Sequence, residues 1–213
     1  MFAVIFDMDG TLLDTQRICI PAWEYAGKKQ GTSDMGRHVI NVCGMNKEGS
    51  DQYLRENFPH IDVDLFKEDS RQYIIKNGKV EFKEGAKEII EFLRERKIKF
   101  ALATGTSRES TMSHLEKLKI ADYFDVIICG TEIERGKPYP DIFLKCAKEM
   151  GIAPENCFVF EDSENGVRAG ISANMKTVGI ADIKPFSNEI KEKMYLELKN
   201  LTEARKMLEE QLI

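Results

Sequence analysis

Five short apolar runs, at 2–6, 100–103, 126–128, 157–160 and 177–180, are separated by stretches whose apolar residues recur at helical spacing. A continuous apolar run suits a strand covered on both faces, which is the condition of a parallel sheet. Parallel neighbours need crossover connections, and the helical stretches supply them. One carries Ile89, Ile90, Phe92 and Leu93, the next Met112, Leu115 and Leu118, a third Ile142, Phe143, Cys146 and Met150 before a stop at Gly151, and a fourth covers 167–173. This β-α-β succession predicts an α/β fold with a doubly wound parallel sheet.

Residues 15–79 break the rhythm. They hold no strand-like run, are helical in composition, and are punctuated by Gly31, Gly36, Gly44, Gly49 and the Phe58-Pro59 stop. The expected organisation is a discontinuous core, 1–14 with 80–213, and a small inserted helical cap over 15–79. Trp23, Tyr25 and Phe66 are expected in the core of that cap. After Pro185 the chain is charged and helical in period, with Leu198, Leu201, Ala204, Met207 and Leu208 able to share one face.

A chain of 213 residues suffices for one such core and a modest second module. With 31 basic and 36 acidic residues and a net charge of -5, it has no basic field for a polyanion, which argues against nucleic acid as a partner. The five cysteines, Cys19, Cys43, Cys129, Cys146 and Cys157, are scattered without a C-x-x-C pair, so they read as buried thiols of a reducing compartment rather than as disulfides or a zinc site. The first apolar run is broken by Asp7, and no run is long enough to cross a bilayer. A cytosolic monomer without a membrane partner is expected.

Open parallel sheets bind ligands beyond the carboxyl ends of their strands. There the chain places Asp7-Met8-Asp9-Gly10-Thr11, Thr104-Gly105-Thr106 and Glu161-Asp162-Ser163, with Gly136-Lys137-Pro138 a short loop after the third strand. Four carboxylates, the hydroxyls of Thr104 and Thr106 and a lysine should converge on one rim. Each has a plainer reading alone. Asp9 and Thr11 could close a turn. A calcium loop fails at Thr11 and Leu12, where it wants an acid or amide and then glycine. Thr106 with Glu109 fits a capping box, and capping is the role expected of Thr106. Pro140 suits a helix start, and His38, His60 and His114 fall outside every motif.

In order along 1–180, FDMDGTLLDT, LATGTS, GKPYPDIF and FEDSENGV resemble the four signature motifs of the haloacid dehalogenase superfamily. The inserted module further resembles that of the subgroup containing phosphoglycolate phosphatases and β-phosphoglucomutases. The resemblance implies a phosphatase in which Asp7 attacks phosphorus and carries a transient aspartyl-phosphate. Asp9 would protonate the leaving oxygen and then take a proton from water. Lys137 would offset the charge of Asp7 and the phosphoryl oxygens, while the Thr104 hydroxyl and the backbone at Gly105 and Thr106 would hold the phosphate. Oxygen donors without histidine or cysteine point to magnesium, with Asp7, the Asp9 carbonyl and Asp162 as ligands and Glu161 assisting directly or through water. The substrate would be a small phosphorylated metabolite. The segment 43–47 is a candidate for selecting it, with Lys47 and Arg17 as contacts to a second anionic group. In the sugar-phosphate mutases of this superfamily a histidine follows the first motif and delays attack by water, and Cys19 stands at the matching position. Hydrolysis is therefore expected, with mutase activity as the alternative. A catalytically silent binding protein is disfavoured because Asp7, Asp9, Lys137 and Asp162 are all present.

Overall fold

The structure is a computed structural model that describes residues 2–43, 45 and 47–212, without the side chain of Lys47. Its strands are β1 (Ala3–Phe6), β2 (Phe100–Thr104), β3 (Val126–Cys129), β4 (Cys157–Glu161), β5 (Lys176–Gly179) and β6 (Leu196–Glu197). They form one parallel sheet in the order β3-β2-β1-β4-β5-β6. The helices are α1 (Gln16–Lys29), α2 (Val39–Val42), α3 (Lys47–Asn57), α4 (Val63–Asn77), α5 (Ala86–Glu95), α6 (Arg108–Lys117), α7 (Asp141–Met150), α8 (Glu164–Ser172), α9 (Asn188–Lys191) and α10 (Leu201–Glu210). This is the doubly wound α/β architecture with a helical insert that the sequence predicts.

The sheet is covered on both sides, which is why its strands read as unbroken apolar runs. Val4, Phe6, Phe100, Leu102, Phe158 and Phe160 face a core shared with α5 and α10, through Ile89, Leu93, Leu201 and Leu208. Their neighbours Ala3, Ile5, Ala101, Ala103 and Val159 face the opposite core, built with α7 and α8. Along α7, Ile142, Phe143, Cys146, Ala147 and Met150 lie on one buried stripe, and Gly151 at φ 68° ends the helix in the left-handed conformation. Strand order reverses between β1 and β4, so the crevice of the sheet opens at their carboxyl ends.

Helices α1 to α4 lie between β1 and β2 in sequence and have a core of their own, containing Trp23, Ala26, Met35, Leu54, Val63 and Phe66. Trp23 meets Phe66 edge-on at 5.2 Å between ring centroids. The chain passes into this insert and back along paired backbone: Asp14 N–H donates to the Glu81 carbonyl and Lys83 N–H to the Leu12 carbonyl, each at 2.9 Å.

Three local expectations are corrected. Tyr25 is 43% exposed and leans on Tyr73 rather than entering the insert core. Leu198 is not helical: 196–197 form the edge strand β6, the Leu198 N–H donates to the Gly179 carbonyl, and α10 starts only after Asn200, whose side chain accepts from the Glu203 N–H. A three-residue spacing from Leu198 to Leu201 mimics a helix, but asparagine at a helix start offers the stronger signal. All five cysteines are free thiols, yet Cys19 and Cys43 are only half-buried, because both sit where the insert meets the core. No described helix is long and apolar enough to cross a membrane.

Candidate active site

The site lies at the reversal in strand order. Asp7 follows β1, with its N–H donating to the Phe160 carbonyl at 3.0 Å, so the neighbouring strand β4 fixes where its side chain starts. The Lys137 ammonium donates to Asp7 Oδ1 and Glu161 Oε1 at 2.5 Å each and to the Ala103 carbonyl at 3.0 Å. Three strand ends thus share one buried cation, contributed by the loop before α7. Burial works against the charge of Lys137, but Asp7 and Glu161 outweigh it and raise its pKa above the usual value. Burial also pushes the carboxyl of Asp7 well above its usual range, with Lys137 offsetting part of the shift.

Asp9, two residues on, has a different setting. Its Oδ1 accepts from the Thr15 hydroxyl at 2.7 Å, and its Oδ2 from the hydroxyls of Thr106 at 2.7 Å and Thr104 at 3.2 Å. The capping role expected of Thr106 is therefore overturned. Ser107 caps α6, its side chain accepting from the Ser110 N–H, and frees the Thr106 hydroxyl for a carboxylate. The Thr106 N–H is itself taken by Thr104 Oγ1 at 3.0 Å. A Cβ added at Gly105 would meet no atom within 4 Å, so the side on which a side chain would stand is open, while the Gly105 carbonyl packs against Gly130.

Asp7, Glu161 and Asp162 each offer a carboxylate oxygen within 4.8 Å of the others, and all three are buried. Asp162 rests on neutral donors, the Thr11 hydroxyl at 3.5 Å and the Gln16 amide at 2.5 Å. Burial, then the charges of Glu161 and Asp7, push its carboxyl well above the usual range. One ammonium against three close carboxylates leaves surplus negative charge, and a buried, all-oxygen donor set of this kind fits a hard divalent cation such as magnesium. Glu161 is the most fully engaged, since its other oxygen accepts from both the N–H and the hydroxyl of Ser163.

Two glycines make this crowding possible. A Cβ on Gly166 would stand 1.8 Å from the Glu161 carboxyl group, and Gly10, at φ 87°, would place one 2.4 Å from Asp162 Oδ2.

The insert contributes residues to which sequence reasoning gave no role, Thr15, the last residue of the first motif, and Gln16, the next one. The only available signal was that they are polar residues at the entry to α1. Arg17, by contrast, points away: its side chain is 70% exposed and pairs with Asp14 at 3.4 Å. Lys47 begins α3, and its side chain lies outside the described residues, as do Gly44 and Asn46. A cavity of about 190 Å³ opens beside Asp162, bounded by Asn41, Cys43 and Met45 of the insert and by Glu164 and Lys184 of the core.

Residues 4–180 match the family of haloacid dehalogenase-like hydrolases. A phosphorylated carbohydrates phosphatase of Thermotoga maritima is 32% identical over 187 residues, covering 84% of each chain. The crystal structure of a candidate β-phosphoglucomutase from the same organism superposes with a TM-score of 0.80 at 28% identity, covering 99% of both chains. A haloacid dehalogenase family hydrolase of Deinococcus radiodurans R1, solved with bound phosphate and sodium, superposes with a TM-score of 0.79 at 25% identity, covering 99% of this chain and 96% of that one. With four motifs meeting at one strand-end crevice, the chain belongs to the haloacid dehalogenase-like hydrolase family, as a phosphatase of the phosphoglycolate phosphatase and β-phosphoglucomutase-like group.

Proposed function

We propose that the chain hydrolyses a small phosphomonoester with magnesium, through an aspartyl-phosphate on Asp7. The observation that carries this reading is the unlike setting of two carboxylates two residues apart: Asp7 accepts from the Lys137 ammonium beside the acidic cluster, while Asp9 accepts from the hydroxyls of Thr15, Thr104 and Thr106. Asp7 attacks phosphorus in line, the new carboxylate oxygen–phosphorus bond forming as the ester oxygen leaves. Asp9, held by Thr15, Thr104 and Thr106, gives that oxygen its proton. It then takes a proton from the water that displaces the Asp7 oxygen from phosphorus. Lys137 keeps Asp7 aligned and offsets its charge. The phosphoryl oxygens lie over the open side of Gly105. Magnesium, held by Asp7, Asp162 and the Asp9 carbonyl, would supply the charge that draws phosphate to an anionic nucleophile. The cap of this enzyme spans 15–79 and its catalytic core 1–14 and 80–213. The likeness to a phosphatase named for phosphorylated carbohydrates supports a phosphorylated sugar as the substrate class.

The deciding experiment is a product ratio. Burial, helped by the charge of Asp9, raises the Cys19 thiol to about 12, so it stays neutral and offers no proton acceptor to hold water back. Given a β-sugar 1-phosphate, the enzyme should release inorganic phosphate and free sugar. Isomerised sugar phosphate as the main product would favour the mutase reading instead.

The metal is tested separately. Chelation should abolish activity and magnesium restore it, whereas excess calcium should inhibit, since its larger and looser coordination misplaces the nucleophile. Turnover indifferent to chelator would refute the metal's part.

A further inference from the structure

Gln16 opens α1, is 9% exposed, and uses every polar group of its carboxamide. Its Nε2 donates to Asp162 Oδ2 at 2.5 Å and to the Asp9 backbone carbonyl at 3.3 Å, while its Oε1 accepts from the Cys43 thiol at 3.2 Å. Both hydrogens of the amide thus go to two groups read above as magnesium ligands, and the amide ties them to each other and, through its oxygen, to Cys43 at the end of α2. The spacing is informative. Ligand oxygens about 2.1 Å from an octahedral magnesium stand roughly 3.0 Å from their neighbours, and 2.5 and 3.3 Å bracket that edge. A half-turn about the terminal side-chain bond, which is broad and roughly two-fold, exchanges nitrogen for oxygen without moving the backbone.

Resting on the metal reading above, we propose that Gln16 is a further metal-positioning residue whose carboxamide oxygen joins the oxygen set around magnesium. A neutral oxygen suits this place, because it adds a hard donor without adding to the surplus of negative charge. The same half-turn withdraws the acceptor from the Cys43 thiol, so loading the metal releases a contact between the start of α1 and the end of α2.

The test is calorimetric titration with magnesium chloride of the wild type, Gln16→Leu, Gln16→Met and Gln16→Glu. Removing the oxygen in the first two variants should weaken binding by about tenfold or more, the range seen when partners around a metal site are lost. Gln16→Glu restores an oxygen and should bind at least as tightly as wild type. Unchanged or tighter binding by the leucine and methionine variants would mean that the amide only fills space, and would overturn the proposal while leaving the metal site standing. A wild type that binds no magnesium would sink both. Should Gln16→Leu fail to fold, Gln16→Met, similar in length, decides. In the wild type, the Gln16 side-chain amide resonances should shift on magnesium addition, and unmoved resonances would count against the idea.

Discussion

Asp7→Asn is expected to lower turnover of a generic aryl phosphate by roughly 10⁴-fold or more, the scale on which loss of a nucleophile acts, in a protein that melts no lower than wild type in chelator. Asparagine keeps the shape and can still accept from Lys137, but its amide cannot form the acyl-phosphate. Stability should not suffer, for a reason specific to this site. The folded-state pKa of Asp7 is raised, mainly by burial, so its ionised form is disfavoured by folding. That cost is absent below the unfolded pKa and complete above the folded one, and the substitution removes it at higher pH. The paired measurement is steady-state rate and thermal midpoint. Activity within tenfold of wild type would remove Asp7 from the nucleophile's role.

Lys137→Met is the second large effect and should differ in kind, losing both rate and stability. Lys137 is 9% exposed at its side chain and is the cation shared by Asp7 and Glu161. Removing it strands two buried carboxylates, which costs about 3–5 kcal/mol where one partner of a buried pair is deleted. Its folded pKa is raised, so its stabilising contribution is fully present below its unfolded value of about 10.4 and is lost only as pH rises through the higher folded value. At pH 7 the substitution therefore removes all of it. Urea denaturation in chelator should show the loss at neutral pH and a smaller one toward pH 5, as the stranded Asp7 carboxylate, whose pKa burial already raises, takes up a proton. The rate should fall by roughly 10³-fold, the upper range for deleting one donor from a charged transition state. A variant as stable as wild type at pH 7 would contradict this account of the pair.

The sheet was legible because its strands are covered on both faces, and a run such as Ala3–Phe6 has no other economical use. Asp7, Asp9, Lys137 and Asp162 were legible as a set because strand ends in an open sheet converge. What escaped was competition between neighbours. The Thr106–Glu109 pattern is a sound capping signal, but Ser107 can cap as well, and a carboxylate 97 residues away competes for the Thr106 hydroxyl. No local pattern encodes that choice. Gln16 escaped for a similar reason, since its partners Asp162 and Cys43 lie 146 and 27 residues away. Gly166 sits in a quoted motif, yet its role as the floor beneath Glu161 depends on how β4 and α8 stack.

The paired backbone at Leu12–Asp14 and Glu81–Lys83 has an evolutionary reading. Adjacent antiparallel segments lie about 5 Å apart, so the insert hangs from a narrow stem. A segment whose two ends stand side by side can be lengthened, shortened or exchanged without shifting any strand register, since the entropy of closing a loop grows only slowly with its length. The insert and the strand-end carboxylates can therefore be inherited separately. The seam does not fall at the stem itself: Thr15 and Gln16 lie beyond it, yet they hold Asp9 and Asp162. An exchange that begins after Gln16 keeps the reacting groups intact, whereas one that begins at Thr15 replaces part of their support along with the insert.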